Sequence, residues 1–180
     1  MATIGMDKLY YAKITEAEDG EETYDTPEIL AKAISAELSV ELAEATLYAD
    51  DGASEVVKDF KSGKLTLGVD DIGITAAQDL TGAAADDNGV LISAGENIAP
   101  PVAIGFRALR ANGKYRYFWL YRVIFGIPAT NLQTKGDSIT FSTPSIEGTV
   151  MRRSKPDTKG THPWKAEVSE GAAGVTSETI

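Results

Sequence analysis

Residues 102–127 narrow the fold more than any other part of this chain, because they read as two long strands around a tight turn. Asn112-Gly113 separates "PPVAIGFRALR" (100–110) from "KYRYFWLYRVIFGI" (114–127). Aromatic and β-branched residues at this density favour a pleated, half-buried backbone. Asn-Gly between two such runs predicts a hairpin with a type I′ turn. Successive strand side chains point to opposite faces. One face of the second run would carry Tyr115, Tyr117, Trp119, Tyr121, Val123 and Phe125; the other would carry Arg116, Phe118, Leu120, Arg122 and Ile124. Neither face is polar, and a single core covers only one. The other needs a second layer of the same subunit, or a neighbour.

The rest of the chain extends the β pattern. "DKLYYAKI" (7–14) predicts a first strand, and the acidic stretch 15–28 a loop. Over 33–48, Ile34, Ala36, Leu38, Val40 and Leu42 alternate with Ser35, Glu37, Ser39 and Glu41. Glu, Ala and Leu also suit a helix, but strict period two favours a strand with one wet face. "ADDGAS" (49–54) predicts a polar loop, with a turn signal at Asp51-Gly52. The runs 55–60 and 64–73 predict a hairpin around "KSG". One helix is expected over 75–83, capped by Thr75 and ended by Gly82. Short strands follow at 89–93 and within 138–153. The expected fold is mainly β, a β-sandwich or partly closed barrel with one short flanking α-helix. The 180 residues are expected to form a single domain with an extended N-terminal segment and an extended C-terminal segment from about 154 to 180.

Charge is unevenly spread. Residues 1–60 hold 15 carboxylates against 4 basic residues, and residues 101–180 hold 6 against 11. An acidic front and a basic back suit head-to-tail association of like subunits. Arg107, Arg110, Arg116 and Arg122 among aromatics also resemble a nucleic-acid patch, but a net charge of −10 opposes a phosphate backbone. With no cysteine, disulfides and thiolate metal sites are excluded. The opening residues lack the basic and apolar regions of a secretory leader, and no run has the roughly 20 apolar residues of a membrane helix. Folding in cytoplasm is expected. The one histidine, His162, has no serine or acidic partner at a recognisable spacing, and "DDNG" (86–89) lacks the alternating carboxylates of a calcium loop. The expectation is a non-enzyme without cofactor or metal.

"AISAELSVELAEATLYADDGASEVVKDFKSGKLTLGVDDIG" resembles the major tail protein of long-tailed phages, the subunit of the tail tube. "MATIGMDKLYYAKI", "NGKYRYFWLYRVIFG" and "HPWKAEV" carry the same resemblance, which runs over nearly the whole chain. Prophage remnants and phage-tail-like particles use similar tubes. The resemblance implies a self-assembling virion protein whose hexameric rings stack into a conduit for DNA. It implies assembly in the bacterial host's cytoplasm, tape-measure and tail-terminator proteins as partners, and DNA passing without specific binding. The competing expectation is a non-enzymatic β-sandwich module that binds carbohydrate or a receptor.

Three groups of residues follow as candidates. Ser35, Glu37, Ser39 and Glu41 are expected to line the lumen, where evenly spaced negative charge repels DNA and lets it slide. Asp50, Asp51, Gly52 and Ala53 are expected to form a ring-stacking loop. Arg116, Phe118, Leu120 and Arg122 are expected at the subunit interface, with the arginines reaching the acidic front of the next copy.

Overall fold

The computed structural model describes residues 2–17, 20–49, 52–130, 132–134 and 141–172. The fold is mainly β. Its strands are β1 (Thr3–Glu16), β2 (Glu22–Tyr24), β3 (Glu28–Ala31), β4 (Ala33–Ala49), β5 (Gly52–Val69), β6 (Ala84–Ala85), β7 (Leu91–Ile92), β8 (Val102–Arg110), β9 (Tyr115–Phe125), β10 (Ser145–Met151) and β11 (Lys165–Ser169), with one helix, α1 (Ile74–Thr81). Nine strands make one sandwich-like antiparallel sheet in the order β2-β1-β8-β9-β10-β5-β4, with β3 beside β1 and β11 beside β9. Only Lys32 separates β3 from β4, although they lie at opposite ends of this order. The sheet therefore curls until its ends meet along the chain, and among the described residues no ladder closes it into a barrel.

The curl encloses Leu9, Tyr11, Leu30, Leu65, Leu67, Val69, Val102, Ile104, Leu120, Val123, Phe125, Ile146 and Val150. α1 adds Ala76 and Leu80 to this core. Its N-cap is Gly73, with no side-chain cap, so Thr75 lies inside the helix rather than before it. Gly82 ends it as expected, in the left-handed conformation (φ 70°), with its N–H donating to the Gln78 carbonyl. That conformation suits glycine, and a Cβ there would also strike the Ile98 carbonyl. The buried Tyr11 hydroxyl donates to Asp79 on the helix at 2.8 Å. Burial, and then that hydrogen bond, push the Tyr11 hydroxyl's pKa well above its ordinary value.

Three local readings are corrected. First, 61–63 is not a turn. β5 runs unbroken from Gly52 to Val69 against β4, and Lys61 is the extra residue of a bulge between the Glu41–Ser62 and Leu42–Phe60 pairs. Second, the β8–β9 turn is not type I′, which needs positive φ at two central residues. Only Gly113 has it (φ 78°). Arg110 N–H donates to the Lys114 carbonyl and Gly113 N–H to that of Arg110, each at 2.9 Å, which makes a three-residue loop with glycine at its left-handed position. Third, the segment after 154 is not merely an extended tail: Lys165–Ser169 pairs with β9 from Leu120 to Arg116.

Alternation along β9 also breaks. Ile104 pairs with Leu120 and Val102 with Val123, so β9 spends one residue more than β8 between these pairs. Before this bulge the even residue Leu120 faces the core; after it the odd residues Val123 and Phe125 do. A bulge reverses the faces of everything beyond it.

Candidate functional site

Three surfaces stand out on this scaffold. The first is a ribbon. β4 and β5 stay paired from Ala33–Val69 out to Ala49–Gly52, but β10 accompanies β5 only between Gly63 and Gly68. Beyond the Leu42–Phe60 pair two strands continue alone for about 20 Å, at roughly 3.3 Å per residue. Their described side chains are exposed except for Thr46. Both faces nevertheless carry apolar groups: Leu42, Val56 and Tyr48 on one, Leu47 and Val57 on the other. Leu47 is 58% exposed, Tyr48 74% and Val57 61%. A lone two-stranded ribbon is marginal in water, and clustered exposed apolar groups mark contact surfaces.

Aromatic stacking holds the ribbon's root. The Phe60 ring lies parallel to Trp164 at 4.6 Å, with the Arg152 guanidinium 5.7 Å from Phe60 and the Lys165 ammonium 5.2 Å from Trp164. Arg152 also donates to Asp59 and to the Phe60 carbonyl. The segment between β10 and β11 thus fixes where the ribbon leaves the body.

The polar face of the β4–β5–β10 sheet is the second surface. Ser35, Glu37, Ser39 and Glu41 lie on one face and are all exposed, as their alternation predicted. Opposite them on β5 lie Gly68, Thr66, Lys64 and Ser62. Lys64 pairs with Glu147 at 2.9 Å, and Lys61 with Glu41 at 3.6 Å. Glu37 has no ion-pair partner among the described residues. Against two lysines stand three glutamates, so the face is only mildly acidic.

The third surface is an aromatic groove of about 480 Å³. Tyr10, Gly105, Trp119 and Ala166 form one row across β1, β8, β9 and β11, and Asp7, Arg107, Tyr117 and Val168 form the next. Both rows lie on the sheet face opposite Ile104 and Leu120. The Trp119 ring lies down over Gly105, where a Cβ would collide with it. Arg107 makes two hydrogen bonds to Asp7, at 2.7 and 2.8 Å, and its guanidinium sits 4.0 Å from the Tyr115 ring centre. The Arg107 hydrogen bond holds the Asp7 carboxyl below its ordinary range. Lys8, which also lines the groove, sits in the bulge between Asp7 and Tyr10 with φ 59°. A non-glycine residue there is strained and worth attention as part of a site.

The expected interface residues are placed differently. Leu120 is fully buried among its own chain's core residues and presents nothing to a neighbour. Phe118 stacks on Phe106 at 5.2 Å. Arg116 pairs with Glu167, and Arg122 with Glu16 and Glu22, all within one chain. The open aromatic face of β9 is the odd one: Tyr115, Tyr117 and Trp119. Glu22 is 1% exposed. Burial opposes its charge, but the backbone donors of Ser154 and Lys155 and the Arg122 guanidinium together outweigh burial and hold its carboxyl below the usual range. Of the expected stacking loop, Asp50 and Asp51 lie outside the described residues; Gly52 and Ala53 belong to β5 at the ribbon's far end. Sequence reasoning missed the groove because its floor, Gly105 and Ala166, carries no chemical signal.

No protein-family model matches the chain, and a search of curated proteins returns no match either. Among the described residues no group of histidine or acidic side chains could hold a metal ion, and no helix is long and apolar enough to cross a membrane.

Proposed function

We propose that this chain is a structural subunit that assembles with copies of itself into hexameric rings, which stack into a phage tail tube for DNA delivery. The observation that carries the reading is the β4–β5 ribbon, whose apolar groups on both faces find no cover among the described residues of their own subunit. Burying a large aliphatic side chain is worth about 1.5–3 kcal/mol. Five half-exposed groups, Leu42, Leu47, Tyr48, Val56 and Val57, thus hold several kcal/mol per copy that only a partner releases. Among the described residues no strand pairs with the outer edge of β4, and joining edges into a closed assembly removes an aggregation hazard.

In this reading the face bearing Ser35, Glu37, Ser39 and Glu41 lines the lumen. The phosphate backbone is repelled by Glu37 and finds few unpaired cations to hold it, since Lys61 and Lys64 are already neutralised. The protein would then belong to the virion. Negative-stain electron microscopy of the purified chain tests this: rings or tubes of uniform width are expected, and discrete monomers across the accessible concentration range would refute it. A second reading, a sugar- or receptor-binding module, is favoured by the half-buried rings of Tyr117 and Trp119 that line the groove. It predicts monomers under the same imaging.

A further inference from the structure

Taken with the self-assembly reading, on which the inference rests, the ribbon and the groove are two halves of one contact. We propose that the distal half of the β4–β5 ribbon of one copy seats in the aromatic groove across β1, β8, β9 and β11 of the next copy. The ribbon carries exposed apolar groups on both faces, and nothing covers them among the described residues. The groove is concave, lined by Tyr10, Tyr117, Trp119 and Val168, and likewise open.

Their charges are complementary. Residues 43–58 hold four carboxylates, Glu44, Asp50, Asp51 and Glu55, against the single cation Lys58. Glu44 is already paired with Lys58 at 3.2 Å, and Glu55 has no ion-pair partner among the described residues. On the groove, Arg107 is satisfied by Asp7, while Lys8 has no carboxylate within ion-pair distance among the described residues. Lys8 feels the Asp7 carboxylate, which Arg107 already holds, and at the groove's edge it remains free to take a closer partner from an acidic ribbon. Two different patches that complement each other on like subunits make a heterologous contact, which propagates rather than closing as a dimer. The ribbon's reach of about 20 Å makes it suited to span from one copy to another.

The test uses the full chain. One variant carries Leu47→Asp with Val57→Asp, changing only exposed ribbon side chains. The other carries Lys8→Glu with Tyr117→Ala in the groove. Each is expected to raise the concentration for half-assembly by at least about 10-fold, the effect typical of central contact residues. Mixed one to one, they should give heterodimers and stop there, because the intact ribbon of one fits the intact groove of the other. Because the chain has no cysteine, Val57→Cys and Val168→Cys can be made as separate single variants whose only thiols are the new ones. Oxidising their mixture should yield a disulfide-linked heterodimer that neither yields alone, a readout independent of any loss of fold. If the wild type forms tubes but the ribbon or groove variant polymerises normally, or the mixture gives no cross-link, this pairing is overturned while the assembly reading stands. The groove then falls to a small ligand that packs on aromatic rings, such as a sugar through its C–H face. A wild type that stays monomeric overturns both.

Discussion

Arg122→Ala should be costly to the fold of a single subunit. The Arg122 guanidinium serves Glu16 near the surface and Glu22, whose side chain is wholly inaccessible. Removing one partner of a buried ion pair costs about 3–5 kcal/mol, because a buried charge is left behind. Glu22 would keep the backbone donors of Ser154 and of Lys155, the latter at 3.2 Å, and Arg122 itself is 16% exposed, so about 2–3 kcal/mol is the expected loss. For a domain of this length that lowers Tm by roughly 5–10 °C. The loss should depend on pH. In the wild type Glu22 titrates below its ordinary value of 4.5 when folded, so it adds stability above the unfolded pKa, lost as pH falls through the folded value. Without Arg122 the part of that depression that its hydrogen bond supplies disappears, while the Ser154 and Lys155 backbone donors remain. The gap between variant and wild type should be full at pH 7 and shrink below about pH 4.5, where a neutral acid needs no guanidinium. Urea unfolding followed by tryptophan fluorescence, below the concentration at which copies associate, measures both. A loss under about 0.5 kcal/mol at pH 7, or a gap constant down to pH 3.5, would refute the reasoning. Replacing both partners by apolar residues should recover part of the loss.

Three further outcomes are expected. Gly82→Ala should destabilise the subunit by about 1–2 kcal/mol, from the left-handed backbone and the collision with Ile98, read as a lower Tm. Trp164→Ala should cost about 1–3 kcal/mol, less than a core tryptophan because the residue is only half-buried, and should speed proteolysis within the ribbon once Phe60 loses its stacking partner. Glu37→Lys with Glu41→Lys alters two exposed side chains, so under the proposed tail-tube function tubes should still form; particles carrying the change should then eject DNA slowly, and normal ejection would remove this face from the proposed lumen.

Some elements were legible in the chain because their causes are local. The strict alternation over 33–42 marked a strand, and its polar residues do share one exposed face. Asn112-Gly113 marked the β8–β9 reversal, and Gly82 marked the end of α1. A side chain's alternation and a glycine's freedom depend only on near neighbours. The turn type was already less local: the sequence offered two residues able to take positive φ, and the register between β8 and β9 used only one.

What remained was decided by partners far along the chain. The strands alone did not show that β9 gains a residue between Leu120 and Val123, and that single bulge determines which face of "YRYFWLYRVIF" enters the core. Nor did they show that β5 runs through Lys61 as a bulge, when "KSG" reads as a turn. Arg122 resembled an interface residue until the fold brought it to Glu22, 100 residues away. The groove exists only because four strands, two of them more than 100 residues apart, align Gly105 and Ala166 beside Trp119. Period two fixes alternate faces of a strand relative to each other, whereas the choice of which face is inside belongs to register, and register is a property of the assembled sheet.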